Sequence, residues 1–285
     1  MKIVRTVRDL RQSLEAPQAH GIVGLVPTMG ALHDGHVALL QAARRECGIV
    51  VASLFVNPTQ FGDAADLQAY PRDEASDARI AESAGVDLLF APAVDEVYKP
   101  GHATWVNVDG VALGLEGEFR PGHFRGVATV CLKLFLMVAP HRAYFGQKDA
   151  QQVAVVAQMI KDLDVNLELR VIATVRAPDG LALSSRNARL SAAERARALA
   201  IPRALDAGLR AARAGADPVA AARAELGALD VDYVAVANFN GHPTLALAAR
   251  AGRTRLIDNV RLDDDDLAGV LNAGPSRQGE SQHGQ

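Results

Sequence analysis

Cysteine is almost absent from this chain of 285 residues: Cys47 and Cys131 are the two it has. That excludes a disulfide scaffold and a cysteine-rich zinc site, and the apolar neighbours of each thiol read it as a small buried hydrophobe. An excess of charge of one sign is missing as well. Thirty Lys and Arg against 33 Asp and Glu leave a formal net charge of −3, so no global basic field exists to hold nucleic acid or an anionic membrane. A polyanionic ligand must be met by local positive groups. Long hydrophobic runs are lacking too. The most apolar stretch, 126–140, is interrupted by Lys133 and is too short to span a bilayer. The opening residues break every apolar run with charge, unlike a signal peptide. What is present, 49% hydrophobic and 22% charged residues at a mean hydropathy of +0.05, suits a globular chain with a sizeable core, at a length that fits about two domains. The expectation is a cytoplasmic enzyme or binding protein.

From residue 21 to about 160, short apolar runs at 21–26, 49–56, 86–90 and 143–145 read as buried strands. Between them Val37, Leu40 and Cys47, and later Val153, Val156 and Ile160, recur at helical offsets. Strand-helix alternation implies parallel pairing with crossover helices on both faces, a doubly wound α/β sheet of Rossmann-like type. The stretch 126–138 is apolar all round if helical, and is expected to be buried. After about Val175 the texture changes. Ser191-Ala-Ala-Glu194 has capping-box spacing at the head of an Ala/Arg-rich helix, a second helix follows Pro218, and strand-like runs at 232–237, 245–249 and 255–257 complete a smaller α+β domain. The expected organisation is one domain over 1–175, a second over 176–262, and a mobile Gly/Ser/Gln tail over 263–285.

The first strand runs into Pro27-Thr-Met-Gly-Ala-Leu-His-Asp-Gly-His36 and then a helix. Ligands of open α/β sheets bind off the carboxyl ends of the strands. A glycine-bearing turn there allows close approach, and free N–H groups at the head of the next helix favour phosphate. His33 and His36, three apart, meet one ligand if the helix begins near Asp34, and can donate hydrogen bonds to charge building on phosphate oxygens. The spacing is not that of a zinc helix, and no metal ligand set is assigned. Asn57-Pro-Thr-Gln60 follows the second strand, with Asn57 and Gln60 given defined directions by Pro58; an amide suits a ligand carrying hydroxyl and carboxylate together. Gly146-Gln-Lys-Asp149 opens another helix and places Lys148 within reach of phosphate. Ser184-Ser-Arg186 offers two hydroxyls and a guanidinium as an anion clamp.

H-x-G-H after a first strand, with a Ser-Ser-Arg loop downstream, resembles the nucleotidylyltransferase superfamily. With Phe55-Val-Asn-Pro-Thr-Gln-Phe61, Tyr70-Pro-Arg72, Arg120-Pro-Gly-His-Phe-Arg-Gly-Val127, Tyr144-Phe-Gly-Gln-Lys-Asp149, Gln151-Gln152 and Asp179-Gly-Leu-Ala-Leu-Ser-Ser-Arg-Asn187, the chain is similar to the pantothenate synthetases over nearly all of 1–262. It departs from them at Asp34, Ala150 and Leu183, where glutamate, an aromatic and methionine are common. The resemblance implies ATP-dependent condensation of pantoate with β-alanine through a pantoyl-adenylate, with Mg²⁺, in a cytoplasmic homodimer that binds neither nucleic acid nor membrane. It implies that Met29, Gly30, Ala31, Leu32, His33, Asp34, Gly35 and His36, then Gly146, Gln147, Lys148 and Asp149, then Val175, Leu183, Ser184, Ser185 and Arg186 hold ATP. Gln60 would touch pantoate and β-alanine, and Gln152 pantoate; His36, His33, Lys148 and Arg186 would carry the chemistry, with the smaller domain as a lid. Two rivals stay open: a transferase that keeps the nucleotide on its product, and a nucleotide-binding sensor.

Overall fold

The computed structural model describes residues 1–18 and 21–263. The chain divides into two compact units, one of Met1–Val175 with Phe239–Gly241, the other of Arg176–Asn238 with the chain from His242 onward. The tail read from the sequence lies, from residue 264, outside the described residues; its first member, Asp263, accepts a hydrogen bond from Arg261 Nε at 3.1 Å.

In the first unit six strands form one sheet among the described residues: β1 (Lys2–Val4), β2 (Val23–Thr28), β3 (Ile49–Leu54), β4 (Leu88–Phe90), β5 (Arg142–Gly146) and β6 (Glu168–Ile172), in the order β1-β4-β3-β2-β5-β6. All pairs are parallel. The doubly wound expectation holds. Successive residues of the central strands face opposite cores, as period two requires. Leu25, Val51 and Phe90 join one cluster with Phe124, Leu134 and Phe135; Val26, Val50, Ala52 and Leu89 join another with Leu40, Ala43 and Ala81. Both faces are therefore dry, which is why these strands read as unbroken apolar runs. The strand order reverses between β2 and β5, the switch point at which such sheets open a crevice.

The strands absent from the sequence reading are the two edges. β1 is three residues long, and β6 alternates Glu168 and Arg170 with half-covered apolar residues, Val171 being exposed. Such edges carry charge that wards off pairing with another chain, so they lack the apolar signature. The helix His123–Val138 fills the first core with Phe124, Val127, Leu134 and Phe135. Its burial is not complete all round: Leu136 is 63% exposed. The helix stops at Ala139, in a left-handed conformation before Pro140.

The second unit packs the helices Ala192–Ala198, Ala200–Arg213 and Pro218–Glu225 on a sheet of β7 (Asp230–Phe239), β8 (His242–Ala251) and β9 (Thr254–Arg261), with β8 and β9 antiparallel. Ser191 and Glu194 form the expected capping box. The single Ala/Arg-rich helix read from the sequence is instead two, jointed at Leu199. Pro202 lacks the N–H that a continuous helix would need there, so it sits in the first turn of a new one. Beneath the Pro178–Asp179–Gly180 turn, the Arg176 guanidinium grips Asp258 at 2.6 and 3.0 Å and donates to the Gly180 carbonyl at 3.2 Å. Side-chain exposures of 4% and 1% make this a buried ion pair.

Breaking such a pair strands one charge in the interior. Asp258→Ala is expected to cost about 3–5 kcal/mol, read as a lowered urea midpoint for the second unit. A loss below about 1 kcal/mol, the range of surface pairs, would show the guanidinium finding water instead.

Candidate active site

The site is built first from the turn that leaves β2. Thr28 pins the strand end to β3, its hydroxyl donating to Ser53 O at 2.6 Å. The chain then reverses through Gly30 at φ +83° and Ala31 at φ +52°. A Cβ at position 30 would stand 2.7 Å from Leu54 Cδ1 and 2.8 Å from Asp77 Oδ2, so the conformation favours glycine and a side chain there would have to displace both neighbours. The next two backbone N–H groups are taken: Ala31 donates to Asp77 Oδ2 at 3.0 Å and Leu32 to Asp77 Oδ1 at 2.7 Å.

His33 caps the helix Asp34–Glu46. Gly35 N–H donates to His33 Nδ1 at 3.1 Å, and His33 N–H donates back to His36 Nδ1 at 3.3 Å. The His36 N–H goes to the His33 carbonyl at 2.7 Å. This is a capping box in which imidazoles replace the usual hydroxyl and carboxylate. It corrects one expectation: these leading N–H groups are satisfied within the protein rather than open to phosphate. It also fixes the chemistry of both rings. An Nδ1 that accepts from an amide carries no proton, so each ring is neutral with its single N–H at Nε2. Burial, then the Lys148 charge, lowers the pKa of His33; burial, then His33, lowers that of His36 to about 3. The ring centroids are 4.2 Å apart, so the turn presents a pair of neutral N–H donors.

Gln60 comes from the short turn Pro58–Gln60 after β3. Buried Asn57 organises it: Oδ1 accepts from the Thr59 hydroxyl and the Tyr98 hydroxyl, each at 2.9 Å, and Nδ2 donates to Gln60 Oε1 at 3.0 Å and to the Gly126 carbonyl at 3.2 Å. The Gln60 Nε2 lies 3.0 Å from Met29 Sδ, which joins this turn to the first. The Gln60 carbonyl accepts from His123 Nδ1 at 3.0 Å. Arg120 Nη1 stands 3.1 Å from His123 Nε2 and can only donate, so His123 holds its proton at Nδ1. Burial, then the Arg120 charge, pushes the His123 pKa down to about 4. At Gly126 a Cβ would meet Thr59 O at 2.5 Å; glycine lets the helix backbone seat the turn.

Across the switch point, β5 ends at Gly146, where a Cβ would find open space. The Gln147–Asp149 turn holds Lys148 Nζ 3.5 Å from Asp149 Oδ1. Lys148 lowers and Asp149 raises the proton affinity of both His33 and His36, so this charge pair lies within electrostatic reach of the imidazoles. Gln151 is absorbed structurally, donating to the carbonyls of Val111 and Gly114, while Gln152 is half-buried in the same first turn. Val175 ends the first unit. Leu183, Ser184, Ser185 and Arg186 belong to the second, where Ser184 Oγ caps the Ser185–Arg189 turn by accepting from Arg186 N–H at 3.2 Å.

The first unit thus brings Met29–His36, Gln60, Gly146, Lys148 and Asp149 to the carboxyl-end edge of its parallel sheet, in the loops that follow β2, β3 and β5. Sequence reasoning missed Asp77, and it quoted Arg120 and His123 without giving them work. Among the described residues no cluster of three or more His, Cys, Asp or Glu side chains could hold a metal ion, and no helix is long and apolar enough to cross a membrane.

These features define a doubly wound α/β enzyme with polar, phosphate-compatible loops on both sides of its switch point. The family model for pantoate-beta-alanine ligase matches residues 2–261. The chain is 49% identical to the pantothenate synthetase of Rhizorhabdus wittichii, over 92% of this chain and 99% of that protein. It is 47% identical to the one from Moorella thermoacetica, over 93% and 100%. The crystal structure of pantothenate synthetase from Thermus thermophilus superposes with a TM-score of 0.87 at 46% identity, covering 92% and 99%. The pantoate-beta-alanine ligase of Francisella tularensis, solved with beta-gamma ATP and beta-alanine, does so with 0.82 at 34%, covering 93% and 98%. The chain belongs to the pantoate-beta-alanine ligase family, and is therefore a ligase.

Buried His123 sets a pH dependence. A ring kept neutral in the fold has a folded pKa below its ordinary value of 6.5. Below about pH 6.5 the unfolded chain therefore binds protons that the folded one refuses, and stability falls as pH falls. Between about pH 6.5 and 5 the His123 contribution is about 2 kcal/mol, at about 1.4 kcal/mol per pH unit. Urea unfolding at pH 7 and pH 5 is expected to show wild type losing that much more than His123→Gln; equal losses would mean that His123 protonates in the folded state.

Proposed function

We propose that the chain joins pantoate to β-alanine at the expense of ATP, through a pantoyl-adenylate. In the first step a pantoate carboxylate oxygen bonds to the α-phosphorus as the bond to pyrophosphate breaks. In the second the β-alanine amine attacks the activated carbonyl, loses a proton, and AMP leaves. The observation that carries the mechanism is the reciprocal cap, which leaves His33 and His36 as neutral Nε2–H donors beside Lys148. Such donors stabilise charge spreading over phosphate oxygens without themselves giving up a proton, and they need no reorganisation as it develops.

Met29–His36, Gly146–Asp149, Val175 and Leu183 are the proposed ATP contacts, with Ser184, Ser185 and Arg186 on phosphate oxygens. Gln60, its side-chain Oε1 already engaged by Asn57, offers Nε2 to pantoate and a remaining Oε1 lone pair to the β-alanine ammonium; Gln152 completes the pantoate site. Mg²⁺ would be held mainly by the nucleotide's phosphates and water, with the Asp149 carboxylate contributing, and would supply positive charge to offset that of the phosphate oxygens. A thiol nucleophile has no part: Cys131 is buried, and its pKa is pushed up to about 12 by that burial. The family resemblance further supports a cytoplasmic homodimer.

One incubation with ATP, Mg²⁺, pantoate and β-alanine, each omitted in turn, tests the proposal. Pantothenate and AMP are expected only when all are present. AMP that stays attached to product would favour nucleotidyl transfer, and ATP binding without turnover a sensor. His36→Ala is expected to slow adenylation by about 10²–10³-fold, the scale of one lost oxyanion donor; a near-normal rate would remove His36 from that role.

A further inference from the structure

We propose that Asp77, in the helix Glu74–Ser83, is the positioning residue that sets the geometry of the phosphate-activating turn. The inference rests on the ATP reading of that turn and adds a residue to it. Asp77 is 3% exposed and reaches the turn across 45 positions of sequence. Its two oxygens are divided between consecutive backbone donors, Ala31 N–H on one and Leu32 N–H on the other.

The geometry gives these bonds a specific task. Ala31 sits at φ +52°, in the left-handed region that a residue with a Cβ rarely adopts. That conformation aligns two successive N–H groups toward one side, forming a concavity suited to an anion. Here the anion is supplied internally. The carboxylate holds the strained residue in place, and Leu32 leads directly into His33, the head of the reciprocal cap. Without the clamp, Ala31 relaxes toward ordinary backbone and carries Met29 and His33 with it. Gly30 belongs to the same device, because a side chain there would collide with the Asp77 carboxylate itself.

Behind the turn lies a cavity of about 430 Å³, to whose wall both Met29 and Asp77 contribute. Truncating Asp77 therefore opens a carboxylate-sized space that small solutes can reach. This makes chemical rescue possible, and a merely structural loss of packing would not respond to it.

The test uses Asp77→Asn and Asp77→Ala in the full-length enzyme, with kcat/KM for ATP measured in pantoate-dependent AMP formation and ATP affinity measured by calorimetry. Asparagine keeps the shape but turns an NH₂ toward one backbone donor. Both variants are expected to retain the far-UV circular dichroism of the parent and to lose about 10–100-fold in kcat/KM for ATP, the scale of a misplacement of about 1 Å. Sodium formate is expected to restore Asp77→Ala by about tenfold or more, by placing a carboxylate back between the two N–H groups. It should leave wild type, Asp77→Asn and His36→Ala unchanged. A folded Asp77→Asn within about twofold of wild type would overturn the proposal, as would a folded but slow Asp77→Ala that formate does not rescue. If Asp77→Ala fails to fold, the Asp77→Asn result decides alone. Wild-type enzyme that forms no AMP would count against the activity and not against the clamp, which the ATP affinities of the same proteins still read.

Discussion

Two imidazoles that cap each other's backbone are the constraint on which the site depends. His33 and His36 stand at the head of a thirteen-residue helix, where orphan N–H groups must be satisfied by something. By using Nδ1 for that purpose they end the β2 turn and start the helix. The same bonds decide protonation: the helix N-terminus disfavours imidazolium, and burial and Lys148 act in the same direction. Local structure and chemical role are thus one set of hydrogen bonds, and neither histidine can change its tautomer without loosening the helix it begins.

The same economy recurs around Gln60. His123 is also neutral, yet in the opposite tautomer, because Arg120 supplies a donor to one nitrogen and the Gln60 carbonyl asks for a proton from the other. Asn57 spends both ends of its amide on the turn and on the helix that Gly126 brings near. Gln60 is thus held by Asn57 and His123, neither of which is assigned to a ligand. Catalysis by placement requires groups fixed to a fraction of an ångström before the substrate arrives.

Much of this was legible in the chain. The central strands announced themselves as apolar runs because both faces of a parallel sheet are dry, and the H-x-G-H spacing located the turn at the sheet's carboxyl edge. Charged edge strands such as β6 were invisible for the converse reason, and Pro202 was a signal passed over at the joint between two helices. That the histidines would cap each other was not readable, since Ser, Thr, Asp and Asn are the expected capping residues. Asp77 left no trace, being one acid in a charged helix whose partner lies 45 residues upstream; only the fold brings them together.

The protonation state of His33 and His36 is the most direct point of attack. With ¹⁵N-labelled histidine in the unliganded enzyme, imidazole nitrogen shifts read the tautomer and charge of each ring from about pH 8 to about pH 5, the range in which an ordinary histidine titrates. Both rings are expected to show a protonated Nε2 and a bare Nδ1 throughout. A ring at either position that gains a proton near pH 6.5, or carries its hydrogen on Nδ1, would contradict the reciprocal cap and the donor role derived from it.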